Sequence, residues 1–393
     1  MFNIQLLNTI APTGLAEFPK EHYLVSEKIT EPDAILVRSF DLHEFNIVNS
    51  VQVVGRAGVG VNNIPVAKLT KLGIPVLNTP GANTNAVREL VLAGMLLASR
   101  HLCDAWDYVK HLSADNDDVL SLKIEKEKKQ FSGLELRGRT LGVIGLGNIG
   151  VKVAKAAASL GMHILGYDPG ITVQRAWELS SDVRQAPNLE NLLSESDFIS
   201  LHIPLMDATR NMINANLLTK VNKGAVLLNF SRGEIVDEKA LLDALEKKVI
   251  ATYVSDFPSL ALRKHPSVIC LPHLGASTQQ AEENCAIMIA RQVRDYLEKG
   301  TIQNAVNFPK IDMPNQVTQS RLALTHSNTP GMVAQISSKL ADEKMNIVSL
   351  QNGSHDEIAY TLLDIDSHLN EKLINDLHNI QGMIRVRYIL RES

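Results

Sequence analysis

Leu141-Gly-Val-Ile-Gly145-Leu-Gly147-Asn148-Ile149-Gly150 decides how this chain folds. An apolar strand runs into a Gly-x-Gly-x-x-Gly turn, and Val151-Lys-Val-Ala-Lys-Ala-Ala-Ala continues it as a helix. Gly145 permits the tight turn, Gly147 lets the backbone approach a pyrophosphate, and Gly150 lets the helix pack closely on its strand. The helix N-terminus then offers free N–H groups and a partial positive charge to the phosphates. Asp168 follows 18 residues after Gly150, near the spacing of an acid that grips the adenine ribose. Its carboxylate would accept from a 2′-hydroxyl and repel a 2′-phosphate, which favours NAD over NADP. The stretch therefore predicts a dinucleotide site.

That fingerprint begins about a third of the way along 393 residues. In a simple Rossmann protein it would open the chain, so its position predicts a nucleotide domain inserted into another domain. The length suits two or three domains. Hydrophobic content of 45% and charged content of 21% are ordinary for a soluble globular protein. A net charge of −4 argues against nucleic acid and acidic membranes as partners. The three cysteines, Cys103, Cys270 and Cys285, lack metal-ligand spacing, so no metal is expected and free thiols are. Met1-Phe-Asn-Ile-Gln has no basic n-region before a long apolar core, and no uncharged run would span a bilayer. The expected location is the cytoplasm.

Outward from the fingerprint, three regions emerge. Residues 1–86 carry strand-like Ala34–Ser39, Val51–Gly55 and Ile74–Asn78, with a helical stretch at Ile64–Leu72. Glu89–Arg100 reads as a buried helix. From residue 140 to about 272, apolar strands recur at Leu141–Ile144, His163–Tyr167, Phe198–His202, Ala225–Asn229, Ile250–Ser255 and Val268–Leu271. Strands alternating with helices predict a doubly wound parallel sheet. A helix at Thr278–Lys299 then leads back to the first lobe, where Asn304–Phe308 resembles a terminal tie. The predicted division is a substrate domain from 1–86 and 275–308, a dinucleotide domain from 87–274, a linker from 309–318 and a C-terminal module from 319–393. That module reads strand Arg321–Thr325, helix Gly331–Lys344, strands Ile347–Gln351 and Ala359–Ile365, helix Leu369–Asn379 and strand Met383–Leu390. The βαββαβ order is ferredoxin-like. The Lys123–Lys129 run, with Glu125 and Glu127 interleaved, reads as a solvated connection.

Loops at the strand ends of a doubly wound sheet face the cofactor crevice. Four stand out: His202-Ile-Pro204, Asn229-Phe230-Ser231-Arg232-Gly233, Ser255-Asp256-Phe257-Pro258 and Pro272-His273-Leu274-Gly275-Ala276-Ser277-Thr278. Oxidising a 2-hydroxy acid by hydride transfer needs a cation on the carboxylate and a base for the hydroxyl proton. Arg232 suits the first through bidentate geometry. His273 suits the second, because imidazole titrates near neutrality. In the first lobe, Gly55-Arg56-Ala57-Gly58-Val59-Gly60 is a strand end with a glycine turn able to cradle a carboxylate, and Arg38-Ser39 ends another strand with a phosphate-binding side chain. Each residue alone also fits a plainer role: a structural histidine, a surface ion-pair arginine.

Gly-Leu-Gly-Asn-Ile-Gly, Asn-Phe-Ser-Arg-Gly, Ser-Asp-Phe-Pro and Pro-His-Leu-Gly-Ala-Ser-Thr, in that order, resemble the D-isomer-specific 2-hydroxyacid dehydrogenases. The likeness covers essentially the whole chain and extends to members with a C-terminal ACT domain. It implies NAD-dependent oxidation of 3-phospho-D-glycerate to 3-phosphohydroxypyruvate, the first step of L-serine biosynthesis, with 2-oxoglutarate reduction as a side activity. It makes Arg232 the substrate-binding catalytic arginine and His273 the acid/base. It places Asn148, Ile149, Asp168, Phe230, Ser231, Arg232, Asp256, His273, Leu274, Gly275 and Ala276 at cofactor positions, beside Gly145, Gly147, Gly150 and His202. Arg38, Ser39, Arg56, Val59, Gly60 and Asn83 join Arg232 as substrate contacts. His326, Asn328 and Asn346 match the positions that bind the feedback inhibitor L-serine. ACT pairing implies a homodimer or homotetramer.

One departure stands against the resemblance. The family couples its histidine to a carboxylate a few residues after the Asp-Phe element, yet Asp256-Phe-Pro-Ser-Leu260-Ala-Leu262 holds no acid in that place. Either Asp256 or a carboxylate from elsewhere substitutes, or His273 works without a partner. Two other readings stay open: a dehydrogenase for another D-2-hydroxy acid, and a non-catalytic NAD-binding relative.

Overall fold

Ala34–Val37 is buried at every position, as a strand with both faces covered must be. It lies inside the first of two compact units that the computed structural model defines, Met1–Ala82 with Glu282–Ser393; the second is Asn83–Ala281. The structure describes residues 1–313, 318 and 320–390. In the first unit, β1 (Phe2–Leu6), β2 (Tyr23–Ser26), β3 (Ala34–Val37), β4 (Val53–Arg56) and β5 (Val76–Leu77) form a parallel sheet ordered β2-β1-β3-β4-β5. Three of these are the strands read from sequence, two of them shorter and β4 shifted to Val53–Arg56. β1 and β2 escaped because polar residues interrupt them and each buries a single residue fully. The tie at 304–308 is real: Leu77 bridges Ala305, and the Asn307 side chain accepts from Val76 N–H and donates to the Ile74 carbonyl. The Gln279–Lys299 helix presses Ala286, Ile289, Val293 and Tyr296 into the core of this sheet.

The second unit holds β6 (Thr140–Ile144), β7 (His163–Tyr167), β8 (Val183–Gln185), β9 (Phe198–Leu201), β10 (Ala225–Asn229), β11 (Ile250–Ser255) and β12 (Val268–Cys270). They are parallel throughout, in the order β12-β11-β10-β9-β6-β7-β8. This is the doubly wound order, reversing direction between β6 and β9. Six strands were expected and seven are present; β8 is three residues long with Arg184 and Gln185 exposed, too short and polar to show in sequence. The Thr84–Arg100 helix starts earlier than Glu89 and buries Val87, Val91, Met95 and Ala98 with Val143, Val151 and Leu228. Residues 123–129 are not merely a connection: they end a helix over Asp117–Glu127 and enter a 3-10 turn, all without a buried residue. Among the described residues, no helix is long and apolar enough to cross a membrane.

The C-terminal part of the first unit follows the expected βαββαβ order. β13 (Ser320–Ser327), β14 (Ile347–His355), β15 (Ile358–Ile365) and β16 (Met383–Leu390) pair antiparallel as β14-β15-β13-β16, with helices Met332–Asp342 and Glu371–His378. Alternation along β13 sends Leu322 and Leu324 towards those helices, where they meet Ile336, Leu340, Leu373 and Leu377. The opposite face does not stay free. Ala323, Tyr360, Leu362 and Ile389 share one core cluster with Tyr296, Ile302, Phe308 and Ile311. By compactness the first unit closes at Ala82 and resumes at Glu282, and the ferredoxin-like module falls within it. Of the predicted linker, Ile311 bridges Ile302, while residues 314–317, and residue 319 of the predicted module, lie outside the described residues.

Polar bonds reinforce this junction. Arg321 is 0% exposed, forks onto Asp364 at 2.7 and 2.9 Å, and donates to the Lys299 carbonyl at 3.1 Å. Arg385 donates to the Val51 and Leu72 carbonyls, both at 2.7 Å. A buried ion pair adds little net stability, but stranding one partner is expensive. Asp364→Ala is thus expected to cost roughly 3–5 kcal/mol, read from urea unfolding, and the double change Arg321→Met/Asp364→Leu considerably less. A loss below about 1 kcal/mol for the single variant would contradict this role for the pair.

Candidate cofactor and catalytic site

β6 delivers the fingerprint turn from a strand buried at four of its five positions. Gly145 sits at φ 92, where a Cβ would come within 2.6 Å of the His202 carbonyl. A Cβ on Gly150 would strike the Gly145 carbonyl oxygen. Gly147 differs: its φ is an ordinary −74, and a Cβ there would meet nothing within 4 Å. That open position would let a pyrophosphate approach the backbone. The Asn148–Ser159 helix starts with no acidic residue in its first turn and no side-chain cap, leaving its N–H groups for an anion. Ile149 packs against the adjoining core. Asp168, directly after β7, accepts from Leu146 N–H at 2.8 Å with one oxygen and from Gly170 N–H at 2.9 Å with the other. The carboxylate is held beside the glycine turn with lone pairs remaining for ribose hydroxyls. Every one of these features suits a dinucleotide.

The remaining loops are laced across the carboxyl edge of the sheet. His202 N–H bonds the Ile144 carbonyl at 2.8 Å, the Ser231 hydroxyl donates to the Leu201 carbonyl at 2.7 Å, and Asp256 N–H reaches the Asn229 carbonyl at 3.3 Å. His273 N–H then bonds the Asp256 carbonyl at 3.2 Å. Asn229, 0% exposed, shapes the arginine loop. Its amide donates to the Arg232 carbonyl at 2.9 Å and meets the Tyr253 hydroxyl at 3.1 Å, while its oxygen accepts from Ser231 N–H at 3.1 Å. Arg232 donates to the Ser231 carbonyl at 2.6 Å and pairs with no carboxylate among the described residues. Sequence reading passed over Asn229 and Tyr253; an asparagine closing an otherwise apolar strand was the available signal.

Asp256 resolves one question left open by the sequence. It is 1% exposed, and its oxygens accept from Leu274 N–H at 3.0 Å and Gly275 N–H at 2.7 Å. Held so, His273 adopts a left-handed backbone at φ 58. Asp256 therefore positions the histidine loop and does not partner the ring. Leu260, where the family's acid would stand, is 80% exposed. Within its own unit the His273 ring packs against Phe257, centroids 5.1 Å apart, with no carboxylate bonded to it among the described residues. Ala276 follows on the same loop. Phe230 turns its ring into the core against Gly94. His202 bonds the Ser200 hydroxyl at 2.9 Å through Nε2, while its Nδ1 is buried without a partner. Burial pushes its pKa down to about 4.

The other predicted residues are distributed between the units. In the first unit the Asn8 side-chain oxygen accepts from the N–H groups of Arg38, Ser39 and Phe40, and Arg38 pairs with Glu282 at 2.7 Å. The Arg56 guanidinium lies over Gly58, on the turn that carries Val59 and Gly60. Asn83 opens the Thr84–Arg100 helix of the second unit. In the ferredoxin-like module, His326 is 2% exposed and spends both ring nitrogens internally, on the Ser327 carbonyl and the Thr361 hydroxyl, each at 2.9 Å. It is a buried brace, not an open ligand group. Asn328 and Asn346 are exposed. The Met332–Asp342 helix opens at Gly331 with no side-chain cap, and Asn328 instead donates to the Asp356 carbonyl at 3.0 Å.

Two outcomes follow. Gly147→Ala is expected to leave the unfolding midpoint unchanged and weaken NAD binding at least about 10-fold by calorimetry, whereas Gly150→Ala should damage both; equal NAD affinity in Gly147→Ala would contradict the open cradle. For His202, the unfolded ring binds a proton near its ordinary value of 6.5 and the native ring only near 4. Native stability therefore falls as pH drops from about 6.5 to about 4. His202→Gln should flatten that part of a stability–pH curve, and an unchanged slope would contradict it.

Residues 92–275 match the family model described as D-isomer specific 2-hydroxyacid dehydrogenase, NAD binding domain. A D-3-phosphoglycerate dehydrogenase of Synechocystis sp. is 38% identical over 84% of this chain, which spans 58% of that protein's length. One from Escherichia coli K12 is 31% identical over 93% of this chain and 88% of its own. The structure of NAD+-bound 3-phosphoglycerate dehydrogenase from Entamoeba histolytica is 25% identical, with a TM-score of 0.58 over 78% of this chain and 98% of that one. This chain thus belongs to the D-isomer specific 2-hydroxyacid dehydrogenases and carries that family's NAD-binding domain.

Proposed function

We propose that the protein oxidises 3-phospho-D-glycerate to 3-phosphohydroxypyruvate with NAD. The observation that carries this reading is an arginine without a carboxylate, Arg232, on the same laced sheet edge as His273. Arg232 binds the substrate carboxylate and polarises the carbonyl that forms at C2. A His273 ring nitrogen takes the C2 hydroxyl proton, and runs the transfer backwards in reduction. NAD, when bound, supplies the hydride acceptor. Asp168 orients its ribose, and the uncapped Asn148–Ser159 helix holds its phosphates. Arg38 and Arg56 are the residues for the substrate phosphate, with Ser39, Val59 and Gly60 beside them in the chain, and Asn83 is the second unit's substrate contact. Before substrate binds, Glu282 occupies Arg38.

The relatives' printed names support phosphoglycerate as substrate, and two arginines at strand ends of the first unit support a second anionic group on it. Feedback by L-serine belongs to the ferredoxin-like module. Its support is the uncapped Met332–Asp342 helix, with no acid in its first turn, and the exposed Asn328 and Asn346. 2-Oxoglutarate is the side substrate. His326 would act there as a brace beneath the effector.

An assay of NADH formation from 3-phosphoglycerate tests the reading. Arg232→Ala is expected to lower kcat/KM by roughly 10²–10³-fold or more; turnover of a wild-type order would contradict the assignment. Arg38→Ala should raise KM for 3-phosphoglycerate far more than for 2-oxoglutarate, and equal effects would remove its phosphate role. Millimolar L-serine should depress the rate, and a rate indifferent to it would remove the effector proposal.

A further inference from the structure

Arg175 stands in an electrostatically unfavourable place. It lies on the short helix Val173–Glu178, and its Nη2 donates to Oδ1 of Asn148, the first residue of the Asn148–Ser159 helix. The guanidinium is thus brought to the positive end of a helix macrodipole, where cations are disfavoured and anions stabilised. Nothing acidic in that helix's first turn offsets it. The neutralising group is Glu178, whose two oxygens take Nη1 at 2.8 and 3.0 Å on the same short helix. Both Arg175 and Glu178 keep about a third of their side chains exposed, 31% and 38%, so neither is locked into a core. Beside Asn148 is Gly147, the one fingerprint position whose Cβ direction is empty.

These facts share a single resolution. An anion seated over Gly147 would lie between the helix N-terminus and the arginine, and would satisfy both. We propose that Arg175 is a ligand of the dinucleotide pyrophosphate: it rests on Asn148 and Glu178 without cofactor and turns onto a phosphate oxygen when NAD binds. Glu178 serves as the placeholder for that phosphate. The guanidinium has five N–H donors, of which the resting contacts use three at most, so the exchange needs no loss of the Asn148 bond. The Thr172 hydroxyl, capping the short helix through Arg175 N–H at 3.3 Å, fixes the backbone from which the side chain swings. The inference rests on NAD occupying this fingerprint.

Calorimetry on the full-length protein, with no organic acid present, tests it using three probes: NAD, ADP-ribose and adenosine. Arg175→Gln is expected to weaken NAD and ADP-ribose about 10-fold or more while leaving adenosine, which has no phosphate, within about twofold. Arg175→Lys should recover part of the loss, and Glu178→Gln should tighten NAD severalfold by releasing the arginine. If Arg175 only ties the two helices together, Arg175→Gln will lower the unfolding midpoint and leave the NAD-to-adenosine affinity ratio unchanged, which overturns the proposal. Glu178→Gln and Arg175→Lys keep the test decisive should Arg175→Gln fold poorly: unchanged NAD affinity in both would overturn it equally. Failure of wild-type protein to bind any of the three would instead indict the dinucleotide site itself.

Discussion

Asp256 is a carboxylate almost sealed from solvent, and its two oxygens are committed to the backbone N–H groups of Leu274 and Gly275. A buried carboxyl group must be hydrogen-bonded, so the loop cannot relax without exposing or orphaning its oxygens. The consequence is a histidine held at positive φ, a conformation that a free loop would rarely choose. Asn229 does for the arginine loop what Asp256 does for the histidine loop. Its three bonds close the turn on which Arg232 sits. Because Asp256 N–H also reaches the Asn229 carbonyl, the loops of Arg232 and His273 share one scaffold. Pre-organisation of this kind lets a reacting pair act without reordering at the moment of chemistry.

The Gln279–Lys299 helix gives the ferredoxin-like module a physical route towards Arg38. Glu282, near its start, bonds Arg38; the carbonyls of Tyr296, Leu297 and Lys299, at its end, accept from Arg387 and Arg321. From Glu282 to Lys299 is roughly 26 Å of helix at 1.5 Å per residue. One face of the module's sheet is part of the core that the helix also enters. A shift of that sheet is therefore felt along a stiff rod.

Much of this was legible in the residues. The glycine turn, the parallel strand ends and the βαββαβ order carry strong local patterns, because they rest on backbone sterics and on periodicity. What escaped was set by contacts distant in sequence. β1, β2 and β8 are short or polar and become strands through their neighbours in the sheet. His326 looked like a ligand group, but the alternation of β13 and the Thr361 hydroxyl turn it inward. Arg175 reaches Asn148 across 27 residues, and no spacing rule anticipates a side chain that far away. The absent acid at Leu260 was visible at once, yet only the fold shows that Asp256 is already spent on the backbone.

The central claim is that Asp256 builds the site by holding the loop of His273. Asp256→Asn preserves size but replaces one acceptor with a donor, set against a backbone N–H. The decisive measurement is NADH formation from 3-phosphoglycerate by this variant, with its unfolding midpoint checked in parallel. Displacement of His273 should lower turnover about 10²-fold or more in protein that remains folded. Wild-type turnover from folded Asp256→Asn protein would contradict the account.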